Sequence, residues 1–178
     1  PELDYQLMRD IFCKEKWAMD QIKIYPCETV PWTVIKKWHD SGKYKPYAQT
    51  NERELLNVVK YGMELCPPWI RLPRVIRDIP LTYIEGGNMY PNLRQMLNAE
   101  LENEGKYCKD LRTRSIGRNP GYNIKYGIYL FRSFKSSNGT EYFISKESLD
   151  ERVVYGYLRL RIPSYESNDF PVLHKKGL

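Results

Sequence analysis

No stretch of this chain is apolar over the roughly 20 residues that a bilayer crossing needs, and no basic n-region, apolar h-region and cleavage site open it. Histidine is scarce: two in the whole sequence, and His39 has no second ligand near it and reads as the dipole-favoured C-terminal cap of a helix. The four cysteines, Cys13, Cys27, Cys66 and Cys108, stand far apart with no CxxC pair. That speaks against a zinc ribbon and, in a chain of this size, against a disulfide framework, so a reducing, cytoplasmic compartment is expected. Glu85-Gly-Gly-Asn88 lacks the spacing of a dinucleotide fingerprint and reads as a turn. The chain opens at Pro1-Glu2 without methionine and stops at Gly177-Leu178 with no obvious closing element, so a piece of something longer is expected.

What is present suits a phosphate-bearing partner. In 178 residues, enough for one good core or two small ones, Lys and Arg outnumber Asp and Glu by 28 to 22, a net charge of +6. There are fifteen tyrosines, which stack on bases or half-fill cores. The central stretch is Trp69-Ile-Arg-Leu-Pro-Arg-Val-Ile-Arg-Asp-Ile-Pro80. Ile70 and Leu72 alternate with arginine as in a half-buried strand, and Pro73, which lacks an N–H, predicts fraying or an edge position. Arg71, Arg74 and Arg77 cannot shed their charge and must meet water, a carboxylate or a phosphate. Asp78 is placed to clamp one of them, and an Arg–Asp network bracing a loop is the competing reading.

In chain order, Leu3, Leu7, Ile11 and Phe12 recur at helical spacing over 3–16, and 21–26 is a short strand stopped by Pro26. Cys27 follows, either a small half-buried thiol or a functional group at a strand end. A second helix is predicted over 31–38 with Pro31 in its first turn and Val34, Ile35 and Trp38 on one face. In the loop 41–47, Lys43 and Lys45 interleave with Tyr44 and Tyr47, which suits a single-stranded nucleic acid as well as a plain solvated loop. Asn51 with Glu54 opens a helix to about Cys66, its buried stripe Leu55, Leu56, Val59 and Met63, ended by Pro67-Pro68. A further helix starts at Pro91, with Leu93, Met96, Leu97 and Leu101 on one side and Gly105 at C′. Strands separated by helical crossovers predict an α/β layout with parallel strands.

Residues 106–118 form the densest basic run, carrying Arg112, Arg114 and Arg118, either a charged face or a phosphate contact. Asn119-Pro-Gly121 is the boundary signal. Beyond it Asn138-Gly139 marks a hairpin, and Val153–Ile162 is a strand with Leu158 and Leu160 opposite Arg159 and Arg161. The second segment is thus a β-meander, and so small a sheet needs something to pack against.

Seven stretches in order, Gln21–Pro26, Trp38 with Ser41–Pro46, Pro67–Arg71, Arg74–Pro80, Asn92–Arg94, Cys108–Arg114 and Gly156–Arg161, resemble the catalytic subunit of Elongator, the tRNA wobble-uridine carboxymethyl synthase family. The resemblance spans nearly the whole chain. It implies an α/β fold: residues 1–104 as the C-terminal part of a radical-SAM partial TIM-like barrel, 105–121 as a basic linker, and 122–178 as the first antiparallel strands of a GNAT acetyltransferase-like domain. It also implies a 4Fe-4S cluster, S-adenosylmethionine and acetyl-CoA for the full-length protein. The family's cluster cysteines fall upstream of this chain and its acetyl-CoA loop downstream, so no cofactor is expected here. The family's C-x-C-x-x-C linker motif is reduced to Cys108, with Asp110 and Thr113 at the other places, leaving Cys108 as the one metal-ligand candidate.

The function expected of this portion is therefore tRNA grip rather than chemistry. Lys43, Lys45, Arg71, Arg74, Arg77, Arg112, Arg114 and Arg118 are expected to form one basic face, with Tyr44 and Tyr47 stacking on anticodon-loop bases. Partners would be the tRNA anticodon stem-loop and other Elongator subunits or a second copy. The alternative is a non-catalytic basic RNA-binding or scaffold module.

Overall fold

The computed structural model describes residues 1–164. They form two compact units: Pro1–Phe12 with Met19–Arg112, and Cys13–Ala18 with the described residues from Thr113 on. The last part of the expected second segment, residues 165–178, lies outside the described residues.

The first unit is built on a parallel pair, β1 (Gln21–Lys23) and β2 (Arg71–Arg74), with Gln21 opposite Arg71 and Lys23 opposite Arg74. Between them run α2 (Val34–Asp40) and α3 (Glu52–Leu65). They are flanked by α1 (Glu2–Cys13) and α4 (Leu93–Asn103). The predicted stripe of α3 is buried as expected, joined by Val58, and Leu93, Leu97 and Leu101 of α4 have no exposed surface. Asn51 caps α3 by accepting a hydrogen bond from the Glu54 N–H at 3.2 Å. The far end of α4 closes as a Schellman motif: the Lys106 N–H meets the Leu101 carbonyl at 2.8 Å and the Gly105 N–H the Glu102 carbonyl at 3.0 Å, with Gly105 at φ 72°.

Two expectations shift, and the edge position expected from Pro73 is found. The buried pair of α1 is Met8 and Phe12, while Leu3 and Leu7 stay in water. The second helix starts three residues later than predicted, capped by Thr33, and buries none of its residues. Pro73 lies inside β2 without harm, because the outer edge of that strand is met by residues 110–112 instead of another strand. Leu111 N–H bonds the Ile70 carbonyl at 3.0 Å, Leu72 N–H bonds Asp110 Oδ2 at 2.9 Å, and Arg112 Nη1 bonds the Pro73 carbonyl at 2.8 Å.

The second unit is an antiparallel meander, β3 (Ile128–Ser136), β4 (Gly139–Glu147) and β5 (Val154–Pro163), in that order. The hairpin is where Asn138-Gly139 put it, but its two turn residues are Ser137 and Asn138, at φ 43° and 56°, with Gly139 already paired to Ser136. Residues 15–17, a short 3₁₀ turn, belong with this sheet, and Ser136 Oγ reaches the Ala18 carbonyl at 3.4 Å. One face carries Tyr129, Phe131, Leu158, Leu160 and Ile162, all exposed. The other carries Phe143 with a set of buried ion pairs.

Candidate nucleic-acid interface

The parallel pair and the segment after it present the first group of side chains. β2 delivers Arg71 at its start and Arg74 at its end, both exposed, and Arg77 follows on the exposed segment beyond. Asp78 does clamp one of them, Arg74, at 3.1 Å with both groups in water. Arg71 and Arg77 have no ion pair or side-chain hydrogen bond among the described residues. Across the ladder Lys23, exposed, stands opposite Arg74. Sequence reasoning passed over it, although its alternation with Ile22 and Ile24 was the available signal.

The loop 41–47 is split in its roles. Lys43 lies over the Trp38 ring at 5.4 Å, and Lys45 is exposed. Tyr44 is half-buried, and burial together with a hydrogen bond to Cys27 pushes its hydroxyl up to about 12. Tyr47 packs against the core, its hydroxyl also raised by burial and by a hydrogen bond to Asp4. Both rings are therefore engaged on the protein side. Among the exposed rings of the first unit are Trp32 and Tyr83, which the sequence reading did not single out.

Shortly after β1 in the chain comes an unusual carboxyl group. Glu28 is 8% exposed, and neither of its carboxylate oxygens nor Thr29 Oγ1 has a hydrogen-bond partner among the described residues. Burial pushes the Glu28 carboxyl up, against the opposing charge of Arg77. Gly87, at φ 120°, makes this packing possible: a Cβ there would sit 2.7 Å from the Cys27 carbonyl oxygen.

The basic run does not act as one face. Arg112 is half-buried and held to Pro73 in the first unit. Arg114 is corrected outright: it is 1% exposed in the second unit, and its Nη1 meets Glu147 Oε2 at 2.6 Å. A buried guanidinium needs a buried carboxylate, and Glu147, invisible to any local reading, supplies it. Arg132 bonds the other Glu147 oxygen at 2.7 Å and Ser145 Oγ bonds the same atom at 2.6 Å. Against the penalty of burial, these hydrogen bonds and the Arg114 charge hold the Glu147 carboxyl below its ordinary range. Arg118, in the 3₁₀ turn Ile116–Arg118, is exposed.

Cys108 is buried beside Cys66, whose thiol is pushed well up by its hydrogen bond with Cys108 and by burial, and Cys108 Sγ lies 3.5 Å from Asp110 Oδ1. Among the described residues no group of three or more His, Cys, Asp or Glu side chains is arranged to hold a metal ion. An iron–sulfur cluster needs a set of convergent thiolates; here Cys13 and Cys27 are exposed while Cys66 and Cys108 are buried, so these residues do not fit one. Among the described residues no helix is long and apolar enough to cross a membrane.

Residues 19–103 match the family described as the Radical_SAM C-terminal domain, a family whose full-length proteins use S-adenosylmethionine and an iron–sulfur cluster. The chain is 32% identical over 167 residues to a tRNA uridine(34) acetyltransferase of Methanocaldococcus jannaschii, covering 91% of this chain and 30% of that protein. It is 33% identical to the protein of the same description from Dehalococcoides mccartyi, covering 99% and 37%, and 32% identical to human Elongator complex protein 3, covering 95% and 31%. A solved structure of Methanocaldococcus infernus Elp3 with an N-terminal deletion superposes with a TM-score of 0.81 at 30% identity, over 91% of this chain and 38% of that one. The mixed α/β fold thus corresponds to the C-terminal part of a radical-SAM barrel followed by GNAT-like strands. The chain spans about a third of the length of these curated relatives. Collinear motifs, fold and sequence agree: over nine-tenths of its residues the chain is homologous to the tRNA uridine(34) acetyltransferases and Elongator complex protein 3.

Proposed function

We propose that this chain supplies tRNA grip within an enzyme that places a carboxymethyl precursor on C5 of the wobble uridine, the full-length protein using S-adenosylmethionine and acetyl-CoA. In this reading 1–104 ends the radical-SAM barrel, 105–121 links and 122–178 opens the acetyltransferase-like domain. The anticodon stem-loop is the partner, other Elongator subunits or a second copy accompany it, and the location is cytoplasmic.

The observation that carries the reading is the pair Arg71 and Arg77. In the first unit, Arg9, Arg53, Arg74 and Arg94 each have a carboxylate, and Arg112 has a carbonyl. Arg71 has neither among the described residues, and Arg77 has no ion pair within 4 Å but acts on the charge of Glu28; both are exposed on or beside β2. An arginine held ready without a partner suits a bidentate phosphate contact. Lys23 and Lys45 are exposed cations that extend the same role, Arg74 contributes once its Asp78 clamp opens, and Lys43 reaches from its seat on Trp38; Arg118 is an exposed cation of the second unit.

The test is tRNA affinity measured against salt for the chain and for the double variant R71E/R77E. The expected result is weaker binding across tRNA sequences and a log K against log salt slope smaller by about one for each phosphate no longer neutralised. Unchanged affinity and slope would overturn the reading.

A further inference from the structure

We propose that Trp32, walled on one side by Tyr83, is a stacking platform for one unpaired nucleobase of the bound RNA; this rests on the tRNA-binding reading above and adds to it the contact that is made to a base. Two segments are stitched antiparallel by Thr29 and Gly86, whose hydrogen bonds are Thr29 N–H to the Gly86 carbonyl at 2.7 Å and Glu85 N–H to the Thr29 carbonyl at 2.8 Å. Three residues outward along each segment stand Trp32 and Tyr83, and their ring centroids meet at 6.5 Å with planes tilted 52°. Trp32 is 92% exposed and Tyr83 49%.

An aromatic pair formed for stability would be covered, and this one is not. The backbone adds a second anomaly. Trp32 has φ 63°, the left-handed region that a bulky residue rarely adopts. The turn into α2 at this point would be served by glycine without strain, since Thr33 does the capping. The strain is therefore carried for the sake of the ring rather than of the turn, and strained exposed positions mark function.

Geometry and charge select the occupant. A 52° tilt leaves no parallel slot between the rings, so a flat ligand lies on the outer face of the indole with Tyr83 as a side wall. The exposed Arg77 acts electrostatically on Glu28, whose Cα lies beside Gly87 in the same stitched segments. A flat apolar surface on segments that an exposed guanidinium acts upon fits a nucleobase followed by its phosphate. Tyr44 and Tyr47, engaged on the protein side, leave this role open.

The test uses the 178-residue chain with a fluorescent oligouridylate of eight nucleotides and an abasic oligomer of equal length. Trp32→Gly fits the observed φ and keeps the fold, which thermal unfolding checks. W32G is expected to weaken oligouridylate binding about tenfold with an unchanged salt slope, W32F to retain most of the affinity, and the abasic oligomer to bind W32G and the parent alike. Quenching of indole fluorescence by oligouridylate should fall in W32G, the remainder coming from the other three tryptophans. The platform alone is overturned if W32G binds oligouridylate like the parent while R71E/R77E does not, or if W32G changes only self-association, which would make the ring a protein contact. If the parent binds neither oligomer nor tRNA, the platform falls together with the reading beneath it.

Discussion

Asp110 is a single carboxylate on which several segments converge. Its Oδ2 accepts from the N–H groups of Leu72 at 2.9 Å and Arg112 at 3.0 Å, and its Oδ1 accepts from Arg94 Nη2 at 2.9 Å. With no exposure of its own, it ties β2, α4 and the start of the basic run together. Asp110→Ala should cost about 3–5 kcal/mol, because a largely buried Arg94 is left uncompensated, and urea unfolding will read that loss. Two other carboxyl groups set opposite pH dependences. Glu147 titrates below its ordinary 4.5 in the folded state, so its contribution is present above that value and is lost as pH falls through its folded value. Glu28 titrates above 4.5, so its contribution is complete below that value and is lost as pH rises through its folded value. Stability measured against pH should therefore show a smaller acid-side fall in E147Q, where Asp40, Glu100, Glu104 and Asp150 still contribute, and a smaller loss on the higher-pH side in E28Q.

At the scale of elements, the capped and striped helices behave as local rules say. Asn51→Ala should cost about 1 kcal/mol in thermal or urea unfolding, because one orphan N–H of α3 loses its acceptor. The sheet offers a sharper contrast. Phe131, 75% exposed on one face, should tolerate alanine within about 0.5 kcal/mol, whereas Phe143, fully buried on the other, should cost about 3–5 kcal/mol. These two residues also show where the sequence was legible. Alternation told that Leu158 and Leu160 oppose Arg159 and Arg161, but not which side faces inward. The inward side is the arginine side, because register sets Glu141 beside Arg159 at 2.6 Å, and Glu147 lies on the same face. In α3 and α4 one stripe is apolar and periodicity sufficed. In α1 two overlapping stripes exist, and packing rather than periodicity buries Met8 and Phe12 in place of Leu3 and Leu7. For the site, exposed cations were legible as charge, and Arg114 was not, because burial is decided by a carboxylate 33 residues away. Trp32 carried no pattern at all; only its backbone angle and exposure distinguish it.

On the scale of the whole molecule, a net charge of +6 gives affinity for polyanions in general, and the apolar sheet face gives a tendency to self-associate. The two separate experimentally: the double variant F131K/L158K should lower light scattering at high protein concentration while leaving thermal stability nearly unchanged, since both side chains are already in water. The path of the chain has a further consequence. It passes from one unit to the other at Phe12–Cys13, returns at Ala18–Met19 and passes again at Arg112–Thr113. The small detour through residues 13–18 means that a chain begun at Thr113 carries the sheet without the Ala18 carbonyl that Ser136 uses. A sheet excised at that point should therefore unfold more readily than one that keeps residues 13–18 attached.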